Sequence, residues 1–300
     1  MKYQILLFYK YVTITEPEVV AEAVRKLAIA HNLLGRALIA HEGINATLEG
    51  TVEDSEDFLL ELFTDPDFAD ISVKRSESNG HSFPKLKVKV RDEIVGTKFT
   101  EEEADPRVKT APRITAEELR TWYKDEKDFV IVDMRNDYEY QSGHFKDSIN
   151  PGLESSRELP KAIPALEQYK DKTLLTVCTG GVRCEKMSAY LQHKGFKDVY
   201  QLEDGIHGYM EKYPGKDFLG TLYTFDNRLT MHFGGEDREV VGICKLCGEK
   251  TENYVNCAND FCHLHFIACE ECIKDTPTYC EEDCPVKKPA KRKLVTGHTS

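Results

Sequence analysis

Hydrophobic and polar positions in the first part of the chain alternate between two periods. Tyr3 to Phe8 reads as an apolar strand, with Ile5 to Phe8 an unbroken apolar run. After Pro17, the residues Val19, Val20, Ala23, Val24 and Leu27 fall on one helical face. Ala37 to Ala40 and Ile44 to Leu48 read as strands flanking a Glu42-Gly43 turn. Thr51 with Asp54 opens a second helix that carries Phe58, Leu59, Leu62 and Phe63 and ends before Pro66. Lys85 to Arg91 alternates strictly, with Lys85, Lys87, Lys89 and Arg91 on one face of a strand. This order predicts a ferredoxin-like α+β domain over residues 1–100.

Residues 101–113 turn acidic and carry Pro106 and Pro112, which reads as a linker. Over 114–215 strands and helices alternate. Thr115 to Glu118 is a capping box, Phe129 to Asp133 a buried strand, and helices are expected near Asp137 and from Leu159 to Tyr169. An apolar strand ending at Val177 is followed by a helix whose Val182, Met187, Tyr190 and Leu191 recur at helical spacing, with Gly195 at its stop; Val199 to Leu202 is the next strand. Such alternation predicts an α/β domain with a mainly parallel sheet, helices on both faces and sites at the carboxyl ends of strands. Residues 216–242 read as a hairpin, with Tyr223 and Phe225 opposite Leu229, Met231 and Phe233 across an Asp226-Asn227 turn. A Cys-rich segment at 243–286 and a basic tail at 287–300 close the chain.

Composition narrows the function classes. No stretch is long and apolar enough to span a bilayer and no signal-peptide pattern is seen, so a cytoplasmic protein with no membrane partner is expected. The formal net charge of −12 argues against a protein that coats nucleic acid nonspecifically, although a local basic surface can still bind phosphates. Eight of the ten cysteines form four close pairs: Cys244/Cys247, Cys257/Cys262, Cys269/Cys272 and Cys280/Cys284, with His263 and His265 nearby. Two short-spaced thiol pairs close one tetrahedral site, so the count fits two structural zinc sites, with sequential and crossed pairings equally open. No G-x-G-x-x-G fingerprint, P-loop or 2-His-1-carboxylate pattern is present, which leaves no flavin, nucleotide or iron motif in view.

The chemistry centres on Cys178-Thr179-Gly180-Gly181-Val182-Arg183, placed at a strand-to-helix turn. A helix N-terminus and the Arg183 cation favour a thiolate, and Gly180 and Gly181 let the backbone curl into a ring of N–H donors for an anion or a terminal sulfur. Cys184, next to Arg183, is either a resolving thiol or core packing. Asp133 and Arg135 follow a neighbouring strand, where they either share the crevice or brace each other.

The loop from Cys178 to Arg183 resembles the active-site loop of rhodanese domains. Val132 to Arg135, Glu139, Gly143-His144-Phe145 and Val199 to Ile206 fit the flanks of that loop. The string CTGGVRCEK, with the domains around it, resembles the rhodanese-related tRNA wobble-uridine hydroxylase family along nearly the whole chain. His41 to Asn45 matches a motif of that family, with Ala46 standing where glycine is expected. The resemblance implies oxygen-dependent formation of 5-hydroxyuridine at the tRNA wobble position, with Cys178 catalytic, Arg183 beside it and molecular oxygen as co-substrate. It also turns the basic strand, which alone reads as a solvated face, into a candidate tRNA surface. The alternatives are a sulfurtransferase working through a Cys178 persulfide and a noncatalytic RNA-binding adaptor. A phosphatase-like activity fits less well, because such loops run one residue longer.

Overall fold

The computed structural model describes residues 2–234, 239–262, 264–274 and 277–284; His263 and the basic tail at 287–300 lie outside them. The N-terminal domain contains β1 (Tyr3–Tyr11), α1 (Pro17–Ala30), β2 (Leu34–Ala40), β3 (Gly43–Thr51), α2 (Val52–Leu62), β4 (Val73–Ser78) and β5 (Leu86–Val90). Its sheet has the order β4-β1-β3-β2-β5, antiparallel except between β2 and β5. This is the expected ferredoxin-like arrangement with one added edge strand. Pro17 lies in the first turn of α1, where an N–H would have no partner, and the Thr51 hydroxyl accepts the Asp54 N–H at 3.1 Å to cap α2. Both helices cover one face of the sheet: Val24, Ala28, Phe58 and Leu59 pack on Leu6, Phe8, Ile44 and Leu48. Each large side chain buried there contributes about 1.5–3 kcal/mol. The other face carries Ile5, Leu7 and Tyr9, so the unbroken apolar run of β1 marks a strand covered on both faces.

The second domain contains β6 (Arg113–Ile114), α3 (Ala116–Lys124), β7 (Phe129–Asp133), α4 (Asp137–Ser142), β8 (Gly143–Phe145), α5 (Leu159–Leu166), β9 (Thr173–Val177), α6 (Val182–His193), β10 (Asp198–Leu202) and α7 (Gly205–Lys212). The parallel sheet runs β6-β10-β9-β7. One face packs on α5 and α6 through Leu166, Met187 and Leu191; the other packs on α3 and α7 through Leu119, Ile206 and Tyr209. Thr115 and Glu118 exchange both capping bonds at the start of α3, at 3.1 and 2.7 Å. The segment read as a linker is packed down. Ala104 and Ala111 are buried, Arg113–Ile114 adds a strand to the sheet edge, and just before the segment Phe99 stacks on Tyr190 with centroids 4.1 Å apart. Glu101 and Glu102 face outward, and the acidic composition hides this apolar minority.

Beyond α7, β11 (Phe218–Gly220) pairs with β8, and β12 (Leu222–Tyr223) pairs with β13 (Thr230–Met231). The hairpin register differs from the expected one: Leu222 opposes Met231, and Tyr223 opposes Thr230. The cause is the turn. The Asp226 carboxylate accepts the Arg228 N–H at 3.0 Å, and Leu229 adopts φ 60°, which widens the loop and projects Phe225 outward. The Cys-rich segment adds β14 (Tyr254–Asn256), β15 (His265–Ile267) and α8 (Glu270–Ile273). It docks on α4 through Tyr138, Tyr223, Tyr254 and Ile267, with the Tyr254 hydroxyl donating to the Tyr138 carbonyl. No helix among the described residues is long and apolar enough to cross a membrane.

Candidate active site

Cys178 directly follows β9 at the carboxyl edge of the parallel sheet, and α6 begins four residues later. The turn is held from behind by α7. The Ile206 and His207 N–H groups donate to the carbonyls of Cys178 and Thr179 at 2.9 and 3.0 Å, which turns those carbonyls away from the loop interior. Gly205 makes this approach possible: it has φ +65°, and a Cβ there would lie 2.5 Å from the Cys178 carbonyl. The Gly181 N–H then donates to the Cys178 sulfur at 3.2 Å. Burial pushes the Cys178 thiol up, but the Cys184 thiol, the Arg183 charge and the N–H groups of Cys184 and Gly181 outweigh it, lowering the pKa to about 6. Cys184 moves the other way, raised by burial and by its contact with Cys178. The two thiols are therefore pushed in opposite directions, Cys178 toward the thiolate and Cys184 toward the thiol. Cys184 itself is packed in the core, next to Cys178.

Arg183 does not stand alone beside the thiol. Its guanidinium forks onto both oxygens of Glu139, at 2.5 and 2.8 Å, and reaches the Thr179 hydroxyl at 3.1 Å. Glu139 is fully buried, Arg183 nearly so, and the Phe225 ring lies 5.6 Å from the guanidinium carbon. A fork spent on a carboxylate is not free to grip a phosphate dianion, so the loop favours a small uncharged or singly charged ligand. Nothing in the local pattern signals this clamp. Glu139 stands 44 residues before Arg183 and is marked in the sequence only through the rhodanese resemblance.

A cleft of about 240 Å³ opens over the loop, and its far wall is the second face of the N-terminal sheet. Ile5, Leu7, Tyr9, Leu38 and Val95 supply apolar surface; Arg36, Asn45, Thr47 and Ser76 supply polar groups; Thr179, His207 and the Thr224–Arg228 turn complete the enclosure. The glycine pair of the loop serves this contact. A Cβ on Gly180 would lie 2.9 Å from Leu7, and one on Gly181 would lie 2.7 Å from the Tyr9 hydroxyl. Buried polar contacts lock the two domains together. Tyr9 donates to Glu185 at 3.0 Å, Tyr11 donates to the Val182 carbonyl at 3.1 Å, and Lys186 pairs with Glu42 at 2.7 Å. The His41 to Asn45 motif is thus a docking element: Glu42 holds both Lys186 of α6 and the Ile94 N–H. Ala46 faces the N-terminal core, where its methyl group is accommodated.

The remaining candidate residues are distributed unevenly. Asp133 and Arg135 pair with each other at 2.7 Å, fully buried, and Arg135 also holds the Gly143 carbonyl; neither lines the cleft. They brace the turn between β7 and α4. Lys85, Lys87, Lys89 and Arg91 are all exposed, while Val88 between them is buried. Lys87 and Lys89 lie beside Arg36 and Leu38 on β2, on the sheet face that forms the cleft wall. His207, Tyr9, Asn45 and Arg36 are cleft residues that the sequence motifs do not assign to the site.

The eight paired cysteines form two clusters, Cys244/Cys247/Cys269/Cys272 and Cys257/Cys262/Cys280/Cys284, with the four sulfurs of each within 4.8 Å of one another. The pairing is crossed, first pair with third and second with fourth. Sulfur separations of 3.5 Å for Cys247 and Cys269, 3.4 Å for Cys257 and Cys284 and 3.7 Å for Cys262 and Cys280 suit a tetrahedral tetrathiolate, whose edges at a zinc–sulfur distance near 2.3 Å are about 3.8 Å. Each cluster can hold a metal ion. None of the eight lines the cleft, and His265 stacks on Tyr254 and bonds Asn256.

Comparison with known proteins covers most of the chain. Residues 3–94 match the UPF0176 acylphosphatase like domain, 115–212 the rhodanese-like domain and 219–285 the rhodanase C-terminal family. A tRNA uridine(34) hydroxylase of Bacillus velezensis is 40% identical over 289 residues, 94% of this chain and 88% of that relative. One of Cytophaga hutchinsonii is 37% identical over 290 residues, 96% and 92% of the two chains. Among solved structures, a rhodanese-like domain protein of Staphylococcus aureus is 30% identical, covers 33% of this chain and 90% of its own, and has a TM-score of 0.29.

Proposed function

The chain belongs to the tRNA uridine(34) hydroxylase family and hydroxylates the wobble uridine of tRNA, and we propose that the reaction runs through Cys178 in the cleft between the two domains. The observation that carries this reading is the position of the Cys178 sulfur: it accepts the Gly181 N–H at 3.2 Å, its pKa is lowered to about 6, and it lies at the base of a cleft whose other wall sets Ile5, Leu7 and Leu38 among a few polar groups. A wobble base is single-stranded and can be splayed out of the anticodon loop, and its flat ring suits the space between the Cys178 loop and Leu7, Leu38 and Phe225. Arg36, Lys87 and Lys89 border that space and meet the flanking phosphates, so the basic strand positions the loop while the cleft reads the base.

In this mechanism the Cys178 thiolate adds to carbon 6 of the uracil. A sulfur–carbon bond forms, and the electron pair of the carbon 5–carbon 6 double bond moves toward the carbon 4 carbonyl. Carbon 5, otherwise a poor site for an oxygen donor, becomes enolate-like and nucleophilic. Molecular oxygen supplies the atom that joins carbon 5, and its second atom leaves as water with two electrons and two protons from an external donor. Loss of the carbon 5 proton and departure of the thiolate restore the ring as 5-hydroxyuridine. Arg183, held by Glu139, and Cys184 keep the sulfur anionic between turnovers. We assign zinc to both cysteine clusters, where four thiolates close the coordination sphere and leave a structural role. We assign the enzyme to the cytoplasm, where its tRNA substrate lies and thiols stay reduced.

The test is mass analysis of tRNA nucleosides after incubation with wild type and with Cys178→Ser. Wild type should add one oxygen to uridine, and the variant should bind tRNA without adding it. Product from Cys178→Ser, or sulfur in place of oxygen, would reject the assignment.

A further inference from the structure

Asn45 stands out among the cleft residues because its amide has a fixed direction. It lies on β3 between Ile44 and Ala46, which face the core, so its own side chain faces the cleft. The Nδ2 group donates to the Ile94 carbonyl at 3.0 Å. A carbonyl can only accept, so this bond decides which end of the amide is which. The anchor is itself rigid: Ile94 is buried, and its own N–H donates to the Glu42 carboxylate at 2.8 Å. Oδ1 is therefore held as an acceptor, and among the described residues no protein group donates to it.

An oriented acceptor set beside the apolar surface of Ile5, Leu7 and Leu38 calls for a ligand that donates one hydrogen bond in the plane of a flat ring. Uracil offers such a donor only at N3. In the six-membered ring N3 is directly across from carbon 6, so a uridine presenting carbon 6 to Cys178 points N3–H at the opposite wall. Asn45 is on that wall, paired across β1 and β3 with Tyr9, whose hydroxyl borders Gly181. Resting on the function proposed above, we infer that Asn45 is the residue that selects uracil, its Oδ1 accepting the N3–H of the wobble base. Cytosine carries a lone pair at N3, and the amide cannot turn to offer its NH2 without abandoning Ile94. Cytosine is thus refused by two facing acceptors, a strong form of discrimination.

The experiment compares full-length wild type and Asn45→Ala on one tRNA carrying either uridine or N3-methyluridine at the wobble position, read as kcat/KM for oxygen addition. Wild type should strongly prefer uridine. In Asn45→Ala, activity on uridine should fall by about 10- to 100-fold, the range for losing one buried hydrogen bond, and the preference over N3-methyluridine should shrink by at least about tenfold. Misfolding or weakened domain docking would lower both substrates together and leave their ratio unchanged. An unchanged ratio, whatever the absolute rates, overturns the inference. Wild type that leaves the wobble uridine unmodified overturns the functional reading, and the Asn45 assignment with it.

Discussion

Replacing Glu139 with Gln tests whether the Arg183 clamp holds the site together. Arg183 is 8% exposed and Glu139 fully buried, with two hydrogen bonds between their side chains. Gln keeps the shape but loses the charge and turns one acceptor into a donor facing a cation. Removing one partner of such a pair typically costs about 3–5 kcal/mol, because the other charge stays buried without compensation. A domain of ordinary stability holds only about 5–15 kcal/mol, so the loss should be plain in a urea titration as a fall in midpoint at unchanged slope. At about 2–4 °C per kcal/mol for a protein of this size, melting should drop by roughly 6–20 °C. A double variant, Glu139→Gln with Arg183→Met, removes the stranded cation and should recover much of the stability while staying inactive. A Glu139→Gln protein that melts with wild type, or a double variant no more stable than the single one, would refute the argument.

Other consequences concern the thiol, the basic strand and the cysteine module. Alkylation of Cys178 by a small reagent should be fast at neutral pH and decline as pH falls through about 6, because the lowered pKa keeps the thiolate above that point; Cys184→Ala removes an S–H donor and should move the midpoint up. Serine at Lys87 and Lys89 should weaken tRNA binding and reduce the log–log salt slope by about one unit for each phosphate left without its cation, whereas an unchanged slope would leave this face merely solvated. Metal analysis of protein purified without chelator should find about two zinc ions per chain. Because the clusters are crossed, Cys257→Ser should lose one ion and leave the Cys244 site loaded, and loss of both would point to a shared site.

Much of this protein is local and can be read from the chain. The periods of β1, α1 and α2, the Thr51 cap, the Thr115 capping box and the strand–turn–helix around Cys178 depend on neighbours within a few residues, where sterics and hydrogen-bond geometry act directly. The glycine pair is legible as a place of close approach, but what approaches it is not. Leu7 and Tyr9 come from more than 170 residues away in sequence, and the cleft exists only because the second face of their sheet is turned toward the Cys178 loop. The Glu139–Arg183 fork, the Asn45 anchor on Ile94 and the crossed cysteine clusters share that origin. Spacing alone leaves both cysteine pairings open, since either closes two tetrahedral sites, and only the folded module shows the crossed one. The hairpin register goes with the turn, where Asp226 accepts the Arg228 N–H and Leu229 takes a positive φ. The sequence by itself determined most of the elements and the place of Cys178 at a strand-to-helix turn. Which groups surround that sulfur was decided by packing between distant segments, because burial and charge pairing act on whatever the fold brings within a few ångströms.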